Sequence, residues 1–125
     1  MALILPENRL NGYVMKHTES LKKNYEFARV YRKGNYFTSN NLTLYVLSNK
    51  KSRKRIGITV SKKSYGKSVD RNRIRRLVRE SYRSFKEDLK ENADMVFVVR
   101  KNKELPPFKV IKDEVTYLLK QSGLM

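Results

Sequence analysis

The side chains best suited to chemistry in this sequence are arginines, and they are concentrated in one segment. Between residues 71 and 83 there are six arginines and a single acid, Glu80. The guanidinium group is planar and carries several N–H donors, which suits it to the oxygens of a phosphate. The segment is predicted to be helical, and like charges on successive turns destabilise a helix. The arginines therefore indicate that a ligand supplies the opposite charge. We therefore predict a nucleic-acid contact, made by Arg71, Asn72, Arg73, Arg75, Arg76, Arg79 and Arg83.

A second set of candidate binding residues is aromatic. Phe27 and Tyr31 are four positions apart, on one side of a predicted helix. Tyr45 belongs to a predicted strand and points away from Leu42 and Leu44. If the helix covers that side of the strand, the three rings line a cleft, and single-stranded RNA is held by stacking of its bases on aromatic rings beside a basic groove. Simple packing in the core is the alternative interpretation of each ring.

Residues of the kinds that catalyse reactions or bind metals are scarce. The sequence has no cysteine and one histidine, His17, which excludes a thiolate metal site and leaves little room for a catalytic triad. The acids Glu87, Asp88 and Glu91 follow one another closely and are expected to form a solvated face. We therefore expect no catalytic residue and no metal site in the chain itself.

The charge balance supports a polyanionic partner. The 125 residues carry a net charge of +17, yet 39% of them are hydrophobic, which is enough for a folded core. Residues 50–83 alone contribute 14 basic and two acidic side chains, a net charge of +12. These charges alternate with apolar residues in strand-like and helix-like patterns, so we predict one basic face of a single folded domain rather than a disordered tail.

Apolar periodicity predicts three helices. The first covers about residues 24–33, with Asn24 as its N-cap and Gly34 as its end. The longest covers about residues 71–90, capped by Asp70, with its inward side chains opposite the arginines. The last follows Pro106 and Pro107. The predicted inward residues of this last helix are Phe108, Ile111, Val115, Leu118 and Leu119. The predicted inward residues of the longest helix are Ile74, Leu77, Val78, Ser81, Phe85 and Leu89.

The strands are predicted from alternation and from one continuous apolar run. Residues 42–47 and 55–61 alternate, and we expect them to pair as an antiparallel hairpin. Residues 95–99 are all apolar, which is typical of a strand buried on both faces. Since a helix lies between the last two strands, we expect at least one parallel pair in an otherwise antiparallel sheet. The sequence therefore predicts an α+β domain with three helices and a mixed sheet of about four strands, over residues 21–122, after a flexible lead-in of residues 1–20.

Four segments, taken together, resemble the bacterial ribonuclease P protein subunit. They are LKKNYEFARVYRKG at 21–34, LYVL at 44–47, RIGITVSKK at 55–63 and RNRIRRLVRE at 71–80. They occur in the order of the family and cover about residues 16–121. One departure is that two residues, Ser64 and Tyr65, separate SKK from the loop glycine, where the family usually has one. The path of this loop is therefore left open.

The resemblance implies a fold, a reaction and partners. The fold has the order α-β-β-β-α-β-α, with a left-handed crossover. The family assists the endonucleolytic removal of the 5′ leader from precursor tRNA, in a ribonucleoprotein whose catalytic RNA performs the hydrolysis with Mg²⁺. The protein binds that RNA and the leader, and no obligate protein partner is expected.

The resemblance also assigns roles to individual residues. The arginine-rich helix, represented by Arg71, Asn72, Arg73, Arg75, Arg76 and Arg79, binds the catalytic RNA. The cleft between the first helix and the sheet, represented by Phe27, Tyr31 and Tyr45, binds the leader. Lys62 and Lys63 match the SKK segment of the RNA-binding surface, and Mg²⁺ is held mainly by the RNA.

Two other functions are compatible with the composition. A ribosomal or RNA-chaperone-type protein would coat structured RNA without any linked reaction. A DNA-binding protein would insert the long helix into the major groove, but a stripe with one asparagine and no glutamine is sparse for reading bases. No apolar run is long enough to span a membrane and the N-terminal residues do not resemble a signal peptide, so we expect a cytoplasmic protein.

Overall fold

The computed structural model describes residues 18–49, 54–90 and 92–125, which form one sheet and three helices. The strands are β1 (Thr18–Ser20), β2 (Asn35–Thr38), β3 (Leu42–Ser48), β4 (Lys54–Thr59) and β5 (Ala93–Val99). The helices are α1 (Asn24–Lys33), α2 (Ser68–Phe85) and α3 (Phe108–Gln121), and a short 3₁₀ turn, Lys86–Asp88, follows α2. The predicted α+β class and the three helices are confirmed.

The sheet is mixed, with the order β1-β4-β5-β3-β2. The continuously apolar strand β5 lies at its centre, parallel to β4 and antiparallel to β3. The predicted hairpin of β3 with β4 is therefore wrong, because β5 lies between them. A strand that is apolar on both faces is best covered at the centre of a sheet, and this requirement outweighs closeness in sequence. The parallel pair is confirmed, and the left-handed crossover stays a prediction.

The sheet has one strand more than the sequence predicted. The additional strand, β1, lies within the predicted lead-in and pairs in parallel with β4. It has three residues, too few for an alternating pattern, and its buried Thr18 hydroxyl lies 3.2 Å from the hydroxyl of Tyr82. The rest of the lead-in, residues 1–17 with His17, lies outside the described residues.

The helices cover opposite faces of the sheet. Helices α2 and α3 pack on the face that carries Leu42, Leu44 and Ile56, and this layer is the main core. Helix α1 packs on the other face, over Val96. The predicted alternation is confirmed, since Tyr45 and Leu47 lie on the α1 face, whereas Leu42 and Leu44 lie on the α2 and α3 face.

The ends of the helices differ from the prediction in ways that local contacts explain. Lys23, not Asn24, is the N-cap of α1, because the Glu26 carboxylate accepts the backbone N–H groups of Lys22 and Lys23, both at 3.0 Å. Gly34 ends the helix as predicted, with an extended backbone, and glycine is required there because a Cβ would lie 2.6 Å from the carbonyl oxygen of Val30.

The later helices show two further differences. Helix α2 begins at Ser68, so Asp70 lies in its first turn rather than at its cap, and the helix ends at Phe85. Phe108 is 41% exposed, because it is the first residue of α3 and lies at the edge of the core. The other four inward residues predicted for α3 are buried. In α2 the prediction missed Tyr82, which is fully buried.

Candidate nucleic-acid interface

Helix α2 presents a face of arginines to solvent. Its apolar residues Ile74 and Val78 are buried in the core, which turns the opposite side of the helix outward. Asn72, Arg73, Arg76 and Arg83 are exposed, and Arg71, Arg75 and Arg79 are half-buried. We call Asn72, Arg73, Arg75, Arg76, Arg79 and Arg83 the arginine face.

Most of the arginine face has no acidic partner within the protein. Arg83 forms an ion pair of 2.8 Å with Glu80, and Arg75 donates to the Asn72 Oδ1 at 2.8 Å. Among the described residues, Arg73, Arg76 and Arg79 have no hydrogen bond or ion pair. Their N–H donors are therefore available to an external anion.

Arg71 is placed differently from the other arginines. Its Nη1 donates to the backbone carbonyls of Tyr65 and Gly66, at 2.9 and 2.8 Å. This side chain ties the start of α2 to the preceding loop, so part of its hydrogen-bonding capacity is already used. The sequence could not show this, because residue type alone does not distinguish a phosphate contact from a backbone contact.

The loop that carries Lys62 and Lys63 is fixed at several points. Both lysines are exposed in the turn that follows β4. Beyond them, the hydroxyl of Ser64 donates to the carbonyl of Val99 at 3.1 Å, and Tyr65 is buried in the main core. The two residues that depart from the family pattern thus attach the loop to the domain, and the lysines remain directed to solvent.

The aromatic cleft lies between α1 and the sheet. The rings of Tyr31 and Tyr45 meet edge to face, with centroids 5.0 Å apart and planes at 77°. The hydroxyl of Tyr31 lies 3.4 Å from the Oγ1 of Thr59, at the end of β4. Tyr31 is 39% exposed. The structure therefore brings together two of the three predicted rings, next to the strand that leads into the lysine loop.

A third ring of the cleft, Tyr36, was missed by the sequence analysis. It is paired directly with Tyr45 across β2 and β3, the ring centroids are 5.8 Å apart, and Tyr36 is 67% exposed. Recognising it requires the strand register, because β2 has only four residues and no clear alternation.

Phe27 has a role in packing. It is half-buried beside Leu21 and Val30, and its ring lies directly against Gly57, where any Cβ would clash with it. Phe27 therefore belongs to the small apolar cluster beneath α1, which Tyr45 also contacts, whereas Tyr31 and Tyr36 form the exposed part of the cleft.

A buried ion network anchors α1 to the sheet. The Arg55 guanidinium binds Asp94 through two hydrogen bonds, both of 2.8 Å, and reaches Glu26 of α1 at 2.6 Å. Asn49 also donates to Asp94, at 2.7 Å. Arg55 and Asp94 are buried, at 7% and 1% exposure. The network fixes the start of the helix that carries the cleft aromatics.

The carboxylates of the network are held in their charged form. Hydrogen bonds from the backbone of Lys23 and Lys22, together with Arg55, lower the pKa of Glu26 to about 2. Burial disfavours charge on Asp94, but hydrogen bonds from Arg55 and Asn49 outweigh it and hold its pKa below the usual value. In turn, the hydrogen bond to Asp94 raises the pKa of Arg55. These acids are committed to Arg55.

The described residues offer no metal site. Within 18–49, 54–90 and 92–125, no three histidine, cysteine or acidic side chains are grouped closely enough to bind a metal ion. Over the same ranges, none of the helices has the length and apolar character that a membrane span requires.

Comparison with known proteins relates this arrangement to one family. The family model described as Ribonuclease P matches residues 15–123. The ribonuclease P protein component of Clostridium novyi is 46% identical over 112 residues, which cover 88% of this chain and 98% of the relative.

Solved structures agree with the sequence comparison. The RNase P protein of Staphylococcus aureus superposes with a TM-score of 0.75 at 30% identity, covering 84% of this chain and 95% of that chain. The RNase P protein of Thermotoga maritima has a TM-score of 0.73 at 27% identity, covering 82% and 96%. The sheet, the arginine face and these relatives lead to one conclusion: the chain belongs to the ribonuclease P protein family, and it is the protein component of an endoribonuclease that it forms with the ribonuclease P RNA.

Proposed function

We propose that the arginine face of α2 binds the catalytic RNA and that the aromatic cleft binds the 5′ leader of precursor tRNA. The protein thereby assists removal of the leader without taking part in the hydrolysis. The observation that carries the proposal is that Arg73, Arg76 and Arg79 have no hydrogen-bond partner or acid among the described residues. Their forked N–H donors suit phosphate oxygens, which a structured RNA presents along its backbone.

The cleft suits a single strand. Tyr31 and Tyr36 expose ring surface on either side of Tyr45, and an unpaired base can stack on such a ring. The bases of the mature tRNA body are largely stacked and paired, whereas the leader provides unpaired ones. The cleft therefore favours precursor over mature tRNA.

The position of the lysine loop supports a continuous path for the leader. Thr59 ends β4 beside the Tyr31 hydroxyl, and Lys62 and Lys63 follow within four residues. A strand whose bases stack in the cleft can thus extend its backbone towards these two ammonium groups. The loop is held by Ser64 and Tyr65, so the lysines are positioned before RNA arrives.

The hydrolysis itself is assigned to the RNA. Phosphodiester cleavage requires an activated water and a stabilised leaving oxygen, which a positive surface alone does not supply. Asp94 and Glu26 are engaged by Arg55, and Glu80 pairs with Arg83. Among the residues that the structure describes, no group of acidic side chains fits a magnesium site, so we assign Mg²⁺ mainly to the RNA subunit.

The experiment is a cleavage assay of 5′-labelled precursor tRNA over a series of Mg²⁺ concentrations. It compares the protein alone, the catalytic RNA alone and the two together. We expect no cleavage by the protein, and cleavage by the mixture at lower Mg²⁺ than by the RNA alone, because the protein's charge offsets repulsion between two RNAs. Cleavage by RNA-free protein that is lost in Glu80→Gln would overturn the assignment.

A further inference from the structure

We propose that the solvent-facing side of α1 is a second RNA-binding surface, which contacts a phosphate backbone distinct from the one on the arginine face. This inference rests on the proposed function, to which it adds a second contact with RNA. The surface consists of Tyr25, Ala28, Arg29 and Arg32, with Lys23 at its N-terminal end, and we call it the α1 stripe.

The geometry of the helix places these residues together. Positions 25, 28, 29 and 32 follow the spacing of one helical face, and all four are exposed. The opposite side of the helix carries Val30, which is fully buried on the sheet. The stripe is therefore directed away from the protein, and it is separate from the cleft, which Tyr31 lines from the side of the helix.

The stripe has positive charge without a competing acid in its own helix. Glu26 is the only carboxylate in α1, and its side chain is turned to Arg55 at 2.6 Å and is 17% exposed. Among the described residues, Arg29 and Arg32 form no hydrogen bond or ion pair. The Arg55 network thus engages Glu26 and leaves Arg32 without an acidic partner among the described residues, whereas the charge of Arg29 also acts on Asp94 of β5.

An exposed aromatic ring accompanies the cations. Tyr25 is 67% exposed, and the ammonium of Lys23 lies 5.7 Å from the centroid of its ring. Leaving a large ring in water has no benefit for folding, whereas rings next to cations bind nucleic acid by stacking and by contacts with the sugar and phosphate. The combination of cations and a ring favours RNA over an acidic protein surface.

The stripe and the arginine face cannot bind the same stretch of RNA. Helix α1 covers one face of the sheet and α2 covers the other, so the two cationic surfaces are separated by the thickness of the domain. A protein with cations on both sides can lie between two RNA segments and reduce their mutual repulsion. We assign the second segment to the catalytic RNA, because the chain is the protein component of an endoribonuclease that it forms with that RNA.

The test removes two charges from the stripe and two from a matched site. The variant is Lys23→Gln with Arg32→Gln, which removes one charge near each end of α1. Arg29 is left unchanged because its charge acts on the buried Asp94. The control is Lys109→Gln with Lys120→Gln, two exposed lysines near the two ends of α3. Arg76→Ala with Arg79→Ala serves as the reference for the arginine face.

Two binding measurements identify the source of the RNA. One titrates the protein with catalytic RNA alone, and the other titrates the assembled ribonucleoprotein with mature tRNA, each over a range of salt concentrations. We expect the stripe variant to reduce the log–log salt slope by about 1.4 to 1.8 in the titration with catalytic RNA, since each lost phosphate contact removes about 0.7 to 0.9. A change only in the titration with mature tRNA would contradict the assignment to the catalytic RNA.

The inference is overturned if the stripe variant matches the α3 control in the titration with catalytic RNA while the arginine-face variant reduces the slope. If the arginine-face variant also has no effect, the proposed function fails instead. A photo-crosslinking residue at Ala28 gives a second measurement in the assembled complex. We expect it to capture an RNA segment different from the one captured from position 76, and capture of the same segment, or of none, contradicts the proposal.

Discussion

Arg55 of β4 and Asp94 of β5 are paired in register on neighbouring parallel strands, and two hydrogen bonds of 2.8 Å join their side chains. The third nitrogen of Arg55, Nη1, donates to Glu26, so one buried guanidinium connects the centre of the sheet to α1. The helix that carries Tyr31 and Arg32 is thus held by a polar network as well as by the apolar contacts of Phe27 and Val30.

Breaking this network should loosen the whole domain. Asp94→Asn leaves the buried Arg55 with only Glu26, and we expect the free energy of unfolding to fall by about 3 kcal/mol or more. Glu80→Gln is the control, because its ion pair with Arg83 is largely exposed and contributes at most about 1 kcal/mol. Urea unfolding of the RNA-free protein measures both. Equal, small losses for the two variants would show that the network contributes little.

The network also predicts a dependence of stability on pH. Because the folded protein lowers the pKa of Glu26 from 4.5 to about 2, its contribution is complete above the unfolded value and is lost as the pH falls through this window. The pKa of Asp94 is lowered in the same direction. We expect unfolding curves between pH 6 and 2 to show a steeper loss of stability in the wild type than in Glu26→Gln. Parallel curves would contradict the assigned interaction.

Arg71 should affect the loop more than the RNA. Arg71→Lys keeps the charge but loses the paired contacts with the carbonyls of Tyr65 and Gly66, so we expect about 1 to 2 kcal/mol of destabilisation and an unchanged salt slope of RNA binding. Arg76→Gln should leave the stability unchanged and reduce the salt slope of RNA binding. Thermal unfolding together with binding titrations separates the two. A reduced slope in Arg71→Lys without lost stability would place Arg71 among the phosphate contacts.

The exposed tyrosine of β2 should discriminate precursor from mature tRNA. Tyr36→Ala removes a stacking surface, and we expect precursor binding by the ribonucleoprotein to weaken by about 1 to 3 kcal/mol, with little change for mature tRNA. Phe27→Ala should also destabilise the protein by about 2 kcal/mol or more, since its ring is packed beneath α1. Equal losses for both RNAs in Tyr36→Ala would leave this ring without a role in leader binding.

The sequence could predict the elements whose patterns are local. The bounds of α1 and the two faces of β3 follow from the spacing of apolar residues, and the structure confirms both. Strand pairing depends on contacts distant in sequence, so the position of β5 between β3 and β4 was missed. The cleft shows the same limit. Tyr31 and Tyr45 could be found from helix and strand periodicity, whereas Tyr36 becomes visible only through its register with Tyr45.

The most direct test of the central claim is the salt dependence of catalytic-RNA binding by Arg76→Ala with Arg79→Ala. Both side chains lie away from the buried Ile74 and Val78, so the domain should stay folded. We expect the log–log slope to decrease by about 1.4 to 1.8, with a matched Lys109→Ala and Lys120→Ala variant close to the wild type. An unchanged slope accompanied by lost thermal stability would mean that the arginine face stabilises the protein and does not bind the RNA.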